Sequence, residues 1–196
     1  MRFLPGIPLF LAAAVFTTAA QGPAQNAQAN SSSVAFQNFA KKLAEYQKLR
    51  KKIAGRAPTN VKSAAPETVK GTQVLLAQKI KSARSGAKQG EFFDPVIAQE
   101  FRKVLTATVT GQEGGKILAS LHDAQKESPP PLGVNQSVPQ GSAVPTTPPG
   151  LLLNLPPLPK ELEYRIIGRQ LVLRDADANL IIDYLPNALP AAKVGR

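Results

Sequence analysis

Between Ser128 and Pro159 the chain reads SPPPLGVNQSVPQGSAVPTTPPGLLLNLPPLP, with ten prolines in thirty-two residues. Proline fixes φ and removes an N–H donor, so neither a helix nor a central strand can run through this stretch. An extended connector with polyproline character is expected over 128–159, and regular structure must divide into a part before it and a part after it. The PPLP at its end fits the minimal pattern of a proline-rich ligand. Such ligands belong mainly to intracellular signalling, so a stiff, semi-packed connector is the preferred reading.

The part before the connector carries helical periodicity. From Ser33, which can cap a helix, Phe36, Phe39, Leu43, Tyr46, Leu49 and Ile53 recur at intervals of three and four, and Gly55 offers a stop. A weaker helix runs from Pro66 to Arg84, with Leu76 and Ile80 on one side. Asp94 followed by Pro95 is a strong start signal for a third, whose stripe is Ile97, Phe101, Val104, Leu105 and Thr108, and Gly111 ends it. A fourth, short helix spans Glu113 to Ala124. The helical region is thus 33–127, and four such helices can close around their Phe, Leu and Ile side chains.

After the connector, LEYRII-GR-QLVLR places Gly168 and Arg169 between two strand-like runs, which suits a type II′ hairpin. A two-residue loop pairs Ile166 with Leu171 and Tyr164 with Leu173 on one face, and Arg165 with Val172 on the other. A third run, NLIIDYL, ends at Pro186. The expectation over 160–190 is a three-stranded antiparallel meander, marginal by itself and therefore docked on the helices. Residues 191–196 form a tail expected to be disordered. The fold class is α+β.

Two features of the first residues bear on location. MRFLPGIPLFLAAAVFTTAA has a basic residue, an apolar run from Ile7 to Phe16 and small residues before position 21, the order of a secretory signal peptide over 1–20. An uncleaved membrane anchor is the alternative. The polar, uncharged residues 21–32 then form an expected disordered spacer. Export to the periplasm or the extracellular space follows. The absence of cysteine excludes disulfides and thiolate metal sites.

Charge is concentrated in one segment. Residues 30–90 hold thirteen Lys or Arg against Glu45 and Glu67, whereas the rest carries eleven of each sign. Such a segment is attracted to polyanions, meaning anionic lipid, an acidic envelope polymer or nucleic acid, the last least compatible with export. Lys41, Lys42, Lys48, Lys51 and Lys52 are the candidate contacts with an anionic partner. A solvated helix surface explains the same lysines without a partner, and the apolar stripe beside them is expected to pack on its own domain rather than on a membrane. The strands offer a second possibility, an edge for pairing with another envelope protein.

The candidates for chemistry are few. Asp175, Asp177 and Asn179 in DADAN match the first three ligands of an EF-hand loop, but position six is Leu180 and position twelve Pro186. These residue types also favour turns. A polar turn is expected, with a weak Ca²⁺ site as the alternative. His122 is the lone histidine, and Ser120 and Asp123 stand too close to it on one helix to make a triad. GQEGG lacks the strand and lysine of a phosphate loop. Glu91 and Asp94 could in principle support carboxylate hydrolysis. No cofactor is expected, and the two functional readings are a non-enzymatic envelope or binding protein and, as an alternative, a secreted carboxylate hydrolase.

Taken in order, FQNFAKKLAEYQKLRKKI, SARSGAKQGEFFDPVIAQEFRKVL and PPGLLLNLPPLPKELEYRIIGRQLVLRDADANLIIDYLPNALP resemble a family of exported bacterial proteins without a known activity. The last stretch, of the type ELEYRxxGRxLVLRDxxANLIxDxxPNA, is the most specific. The resemblance implies export and the order of helices before hairpin; it implies no catalytic residue or cofactor.

Overall fold

The computed structural model describes residues 23–54, 66–124, 131–138 and 147–191. The signal-like segment and the 191–196 tail lie outside these residues, apart from positions shared at their edges. Helices precede a C-terminal sheet, so the fold is α+β with a three-stranded antiparallel meander. The helices are α1 (Pro23–Ala54), α2 (Pro66–Ala83), α3 (Pro95–Thr110), α4 (Gly114–Ala124) and the single turn α5 (Pro149–Leu152). The strands are β1 (Leu162–Ile167), β2 (Gln170–Asp175) and β3 (Leu180–Leu185), in the order β1-β2-β3.

α1 begins ten residues before the expected cap, so Ser33 lies inside it and most of 21–32 is helical rather than a spacer. This stretch is rich in Ala and Gln, which favour helix, and has no interior Gly or Pro to stop propagation back from the packed part. Ser32 also donates to Glu100 of α3 at 2.6 Å. Along α1, Ala35, Phe39, Leu43 and Tyr46 are buried at helical spacing. Asp94 accepts from the N–H groups of Val96 and Ile97 and caps α3, with Pro95 in its first turn. Gly114 lets α4 start directly after α3, since a Cβ there would stand 2.0 Å from the Val109 carbonyl oxygen.

The β1–β2 register pairs Tyr164 with Leu173, Arg165 with Val172 and Ile166 with Leu171, as the two-residue loop requires. Gly168 takes φ +61° and Arg169 a negative φ, the signature of a type II′ turn. Tyr164, Ile166, Leu171 and Leu173 face the helices and are buried. There they meet a cluster of Phe36, Phe39, Phe93 and Phe101. The Phe101 ring centroid is 4.9 Å from that of Phe39, 5.1 Å from Phe93 and 6.1 Å from Tyr164. β3 departs from simple alternation. The register slips between Leu173 and Arg174, which pair with Asp183 and Ile181, so Ile182 is a bulge. As a result Leu180, Ile182 and Leu185 all face the main core, and Asp183 shares the face of Leu173.

The connector is packed along much of its described length. Ser137 bridges Leu180, Asn135 donates to the Ile181 carbonyl, and Ile181 donates to that of Gln136, so 131–138 lies along the outer edge of β3. Val138 closes a small second core with Ile167, Val172 and Ile181 on the far face of the sheet. Leu151 and Leu155 enter the main core. The prolines still forbid long elements, but the leucines between them have buried places to go, so the segment wraps the fold instead of standing off it.

Candidate functional site

Three polar arrangements stand where the helical part meets the sheet, and a row of lysines stands apart from them. The first arrangement centres on the DADAN turn. Asp175 ends β2 fully buried, and its carboxylate accepts from Tyr46 Oη at 2.8 Å, Arg50 Nε at 2.7 Å and the Ala178 N–H at 2.9 Å. The exposed Asp177 takes the other arm of the same guanidinium. Asn179 adopts φ +48°; its carbonyl accepts from Arg174 and its amide donates to Val138. The two aspartates therefore converge on Arg50, which occupies the place of a cation, and Asn179 turns toward a different arginine. Among the described residues no group of three or more Asp, Glu or His is placed to hold a metal ion.

Burial works against the charge of Arg50, yet the hydrogen bond and charge of Asp175, joined by Asp177, raise its pKa above the usual arginine value. Burial, followed by the charge and hydrogen bond of Asp175, pushes the Tyr46 hydroxyl far up, so it acts as a donor throughout the ordinary pH range.

The second arrangement holds Asp183. Its carboxylate is fully buried and accepts from the N–H groups of Gly90 (2.9 Å), Phe92 (2.7 Å), Phe93 (3.0 Å) and Tyr184 (2.8 Å). This is a nest of backbone donors around one anion, tying the loop before α3 to β3. Beside it lies the third arrangement. Arg84, also buried, donates to the Ile182 carbonyl at 3.0 Å, to Glu91 at 2.8 Å and to Asn135 at 3.2 Å. Its guanidinium sits 5.6 Å from the ring centroids of both Tyr46 and Phe92.

An open groove of about 800 Å³ runs over these residues, lined among others by Lys42, Glu45, Tyr46, Leu49, Arg84 and Lys88. Of the two carboxylates that line it, Glu91 pairs with Arg84, while Glu45 lies exposed with no ion pair among the described residues; outside the lining, Asp94 caps α3 and pairs with Lys42 at 3.1 Å. Burial raises the pKa of Asp94, but the Ile97 N–H, Lys42 and the Val96 N–H outweigh it and hold the group below its ordinary value. A smaller hollow of about 330 Å³ beside β1 is lined by leucines and prolines of the connector, with Tyr164 and the Glu163–Arg165 pair.

The five candidate lysines do not act alike. Lys42 is half-buried and engaged by Asp94 and the Glu91 carbonyl. Lys41, Lys48, Lys51 and Lys52 are exposed on the face of α1 opposite Phe39, Leu43 and Tyr46, and none pairs with a carboxylate among the described residues. Their neighbour Arg50 belongs to the buried face, four residues after Tyr46, and that spacing is the signal that separates it from the lysines. Arg84 and Asp183 carry no such signal. Apart from Glu91 and the Tyr184 N–H, their partners stand about 50 to 100 residues away, beyond the reach of a local pattern.

Comparison of the chain with models of protein families, with curated proteins and with solved structures returned no match. Any functional reading must therefore rest on the geometry. No helix among the described residues is long and apolar enough to cross a membrane.

Proposed function

We propose that this chain is a non-enzymatic binding protein of the cell envelope that holds anionic partners on the outer face of its helical part. The observation that carries this reading is the row formed by Lys41, Lys48, Lys51 and Lys52, exposed and unpaired among the described residues. Unpaired surface cations keep their full attraction for an external anion, whereas lysines answered by neighbouring carboxylates do not. Export, expected from the sequence, directs the reading toward envelope polymers and lipids rather than nucleic acid.

The carboxylate-hydrolase alternative draws no support from the geometry. Asp175 and Asp183 are enclosed by structural donors, and Glu91 and Asp94 are each held by a cation. A general acid or base must reach substrate with a lone pair or proton to exchange, and none of these four is free to do so in this arrangement. Pairing through a sheet edge is also reduced, because 131–138 already occupies β3 at Leu180 and Ile181.

The test is binding to an acidic polymer such as polyglutamate across a salt series. Affinity should fall steeply with added salt, and replacing Lys48, Lys51 and Lys52 by Gln should weaken it while leaving the melting temperature unchanged. Binding indifferent to salt, or to the triple replacement, would overturn the proposal.

A further inference from the structure

α2 differs from α1 in what it shows to solvent. Val74 is 53% and Leu75 59% exposed, in a helix whose Ala77 and Ile80 pack inward. An exposed aliphatic pair on an otherwise polar surface needs no partner by itself. What sets this pair apart is its charged frame. Lys70 stands four residues before Val74, Lys79 four after Leu75, and Lys81 seven after Val74, and all three are exposed. Residues 70–90 contain no Asp or Glu, so no acidic residue of this segment interrupts the frame. On a helix these spacings place each lysine over the flank of the apolar pair, within about 16 Å along the axis from Lys70 to Lys81. The exposed lysine face of α1, by contrast, holds Glu45 and has no exposed large apolar residue between Lys41 and Lys52.

We propose that the α2 face bearing Val74 and Leu75 docks on a bilayer containing anionic lipid. This rests on the anionic-partner reading and gives that partner a chemical class. Charge complementarity selects the occupant. Lysine stems can lie along the apolar boundary while their ammonium groups remain at headgroup level, and two aliphatic side chains between them reach the acyl region. An acidic polymer would satisfy the lysines but would leave Val74 and Leu75 in water. A protein partner would be expected to offer a carboxylate for each lysine, a more exacting arrangement than a field of lipid phosphates. The helix lies on the surface and does not enter it lengthwise, because it has too few apolar residues to span.

The experiment uses the full chain and co-sedimentation with phosphatidylcholine vesicles, with and without phosphatidylglycerol, beside polyglutamate as a lipid-free anion. Binding is expected only to the anionic vesicles. Replacing Lys70, Lys79 and Lys81 by Gln should lower partition by about a hundredfold, since each basic residue near such a surface changes it by about fivefold. The pair Val74→Asn and Leu75→Asn should lower vesicle partition by about tenfold, a loss that persists in high salt, and leave polyglutamate binding unchanged. Both sets are surface changes, and unchanged melting temperatures confirm that folding is intact. Polyglutamate binding without vesicle binding, or vesicle binding insensitive to the Asn pair, overturns the bilayer proposal and spares the anionic-partner reading. Failure of both anions overturns the two together.

Discussion

Replacing Asp183 by Ala is expected to destabilise the protein by about 4 kcal/mol. The side chain is fully buried and accepts four backbone N–H groups, three of which, at Gly90, Phe92 and Phe93, come from another part of the chain. A hydrogen bond to a charged group contributes about 1.5–3 kcal/mol, so three independent ones would sum to about 4.5–9 kcal/mol. They share one carboxylate and are not independent, and the loop can relax toward water once released, which places the expectation at the lower end. Asp183→Asn keeps the shape and one acceptor but turns an NH₂ toward N–H donors, so about half the loss is expected. Urea unfolding monitored by circular dichroism reads the effect as a fall in midpoint, accompanied by a drop in melting temperature of roughly 10 °C. The control is Asp177→Asn, an exposed partner in an ion pair, expected to lose less than about 1 kcal/mol. If Asp183→Ala and Asp177→Asn cost the same, the backbone nest does not hold the loop to the sheet and the reasoning fails.

Four further outcomes are expected. Arg50→Ala should cost about 3 kcal/mol in denaturant unfolding because it leaves the buried Asp175 with less compensation, and in the unaltered protein Ca²⁺ against chelator should not move the melting temperature, since a guanidinium already answers both aspartates. Asp94 has a folded-state pKa depressed below 3.8, so its contribution is present above that pH and is lost as pH falls through the folded value; the gap between the unaltered protein and Asp94→Ala, about 1 kcal/mol near neutrality, should narrow on acidification, and a constant gap would contradict it. Gly114→Ala should destabilise by about 1–3 kcal/mol because its Cβ meets the Val109 carbonyl, whereas Gly115→Ala, with open space around it, should be neutral or stabilising by up to about 1 kcal/mol in the same unfolding assay.

The hairpin was legible down to its residue pairs because a two-residue turn and strict alternation leave one register that buries Tyr164, Ile166, Leu171 and Leu173 together. The Asp94–Pro95 start of α3 was legible for a similar reason, since the signal and its hydrogen bonds lie within three residues. The bulge at Ile182 was not, because an apolar run such as LII gives no indication of which residue is skipped. That slip fixes the direction of Asp183, and so its role was hidden with it. α1 extends beyond its sequence signals, since a charge-free Ala and Gln stretch suits a spacer and a helix alike, and its packing partner Glu100 is 68 residues away from Ser32. The lysine row of α1 was legible as charge, but its division into one engaged lysine and four without a carboxylate partner among the described residues depended on where Asp94 arrives in space.

The aspartates of the last two strands have a consequence for the order in which the molecule assembles. Tyr46 and Arg50 find their acceptor at position 175, the loop at 90–93 finds its acceptor at 183, and Arg102 donates to the carbonyl of Pro186. The helices and the loop before α3 thus hold donors whose acceptors are made later in the chain. A nascent chain that ends before the meander holds these donors and the phenylalanine cluster uncovered, and it completes its interior only when the final strand closes. Truncation that removes the meander should therefore abolish the fold as a whole, whereas a helical fragment would survive only if its donors found other acceptors.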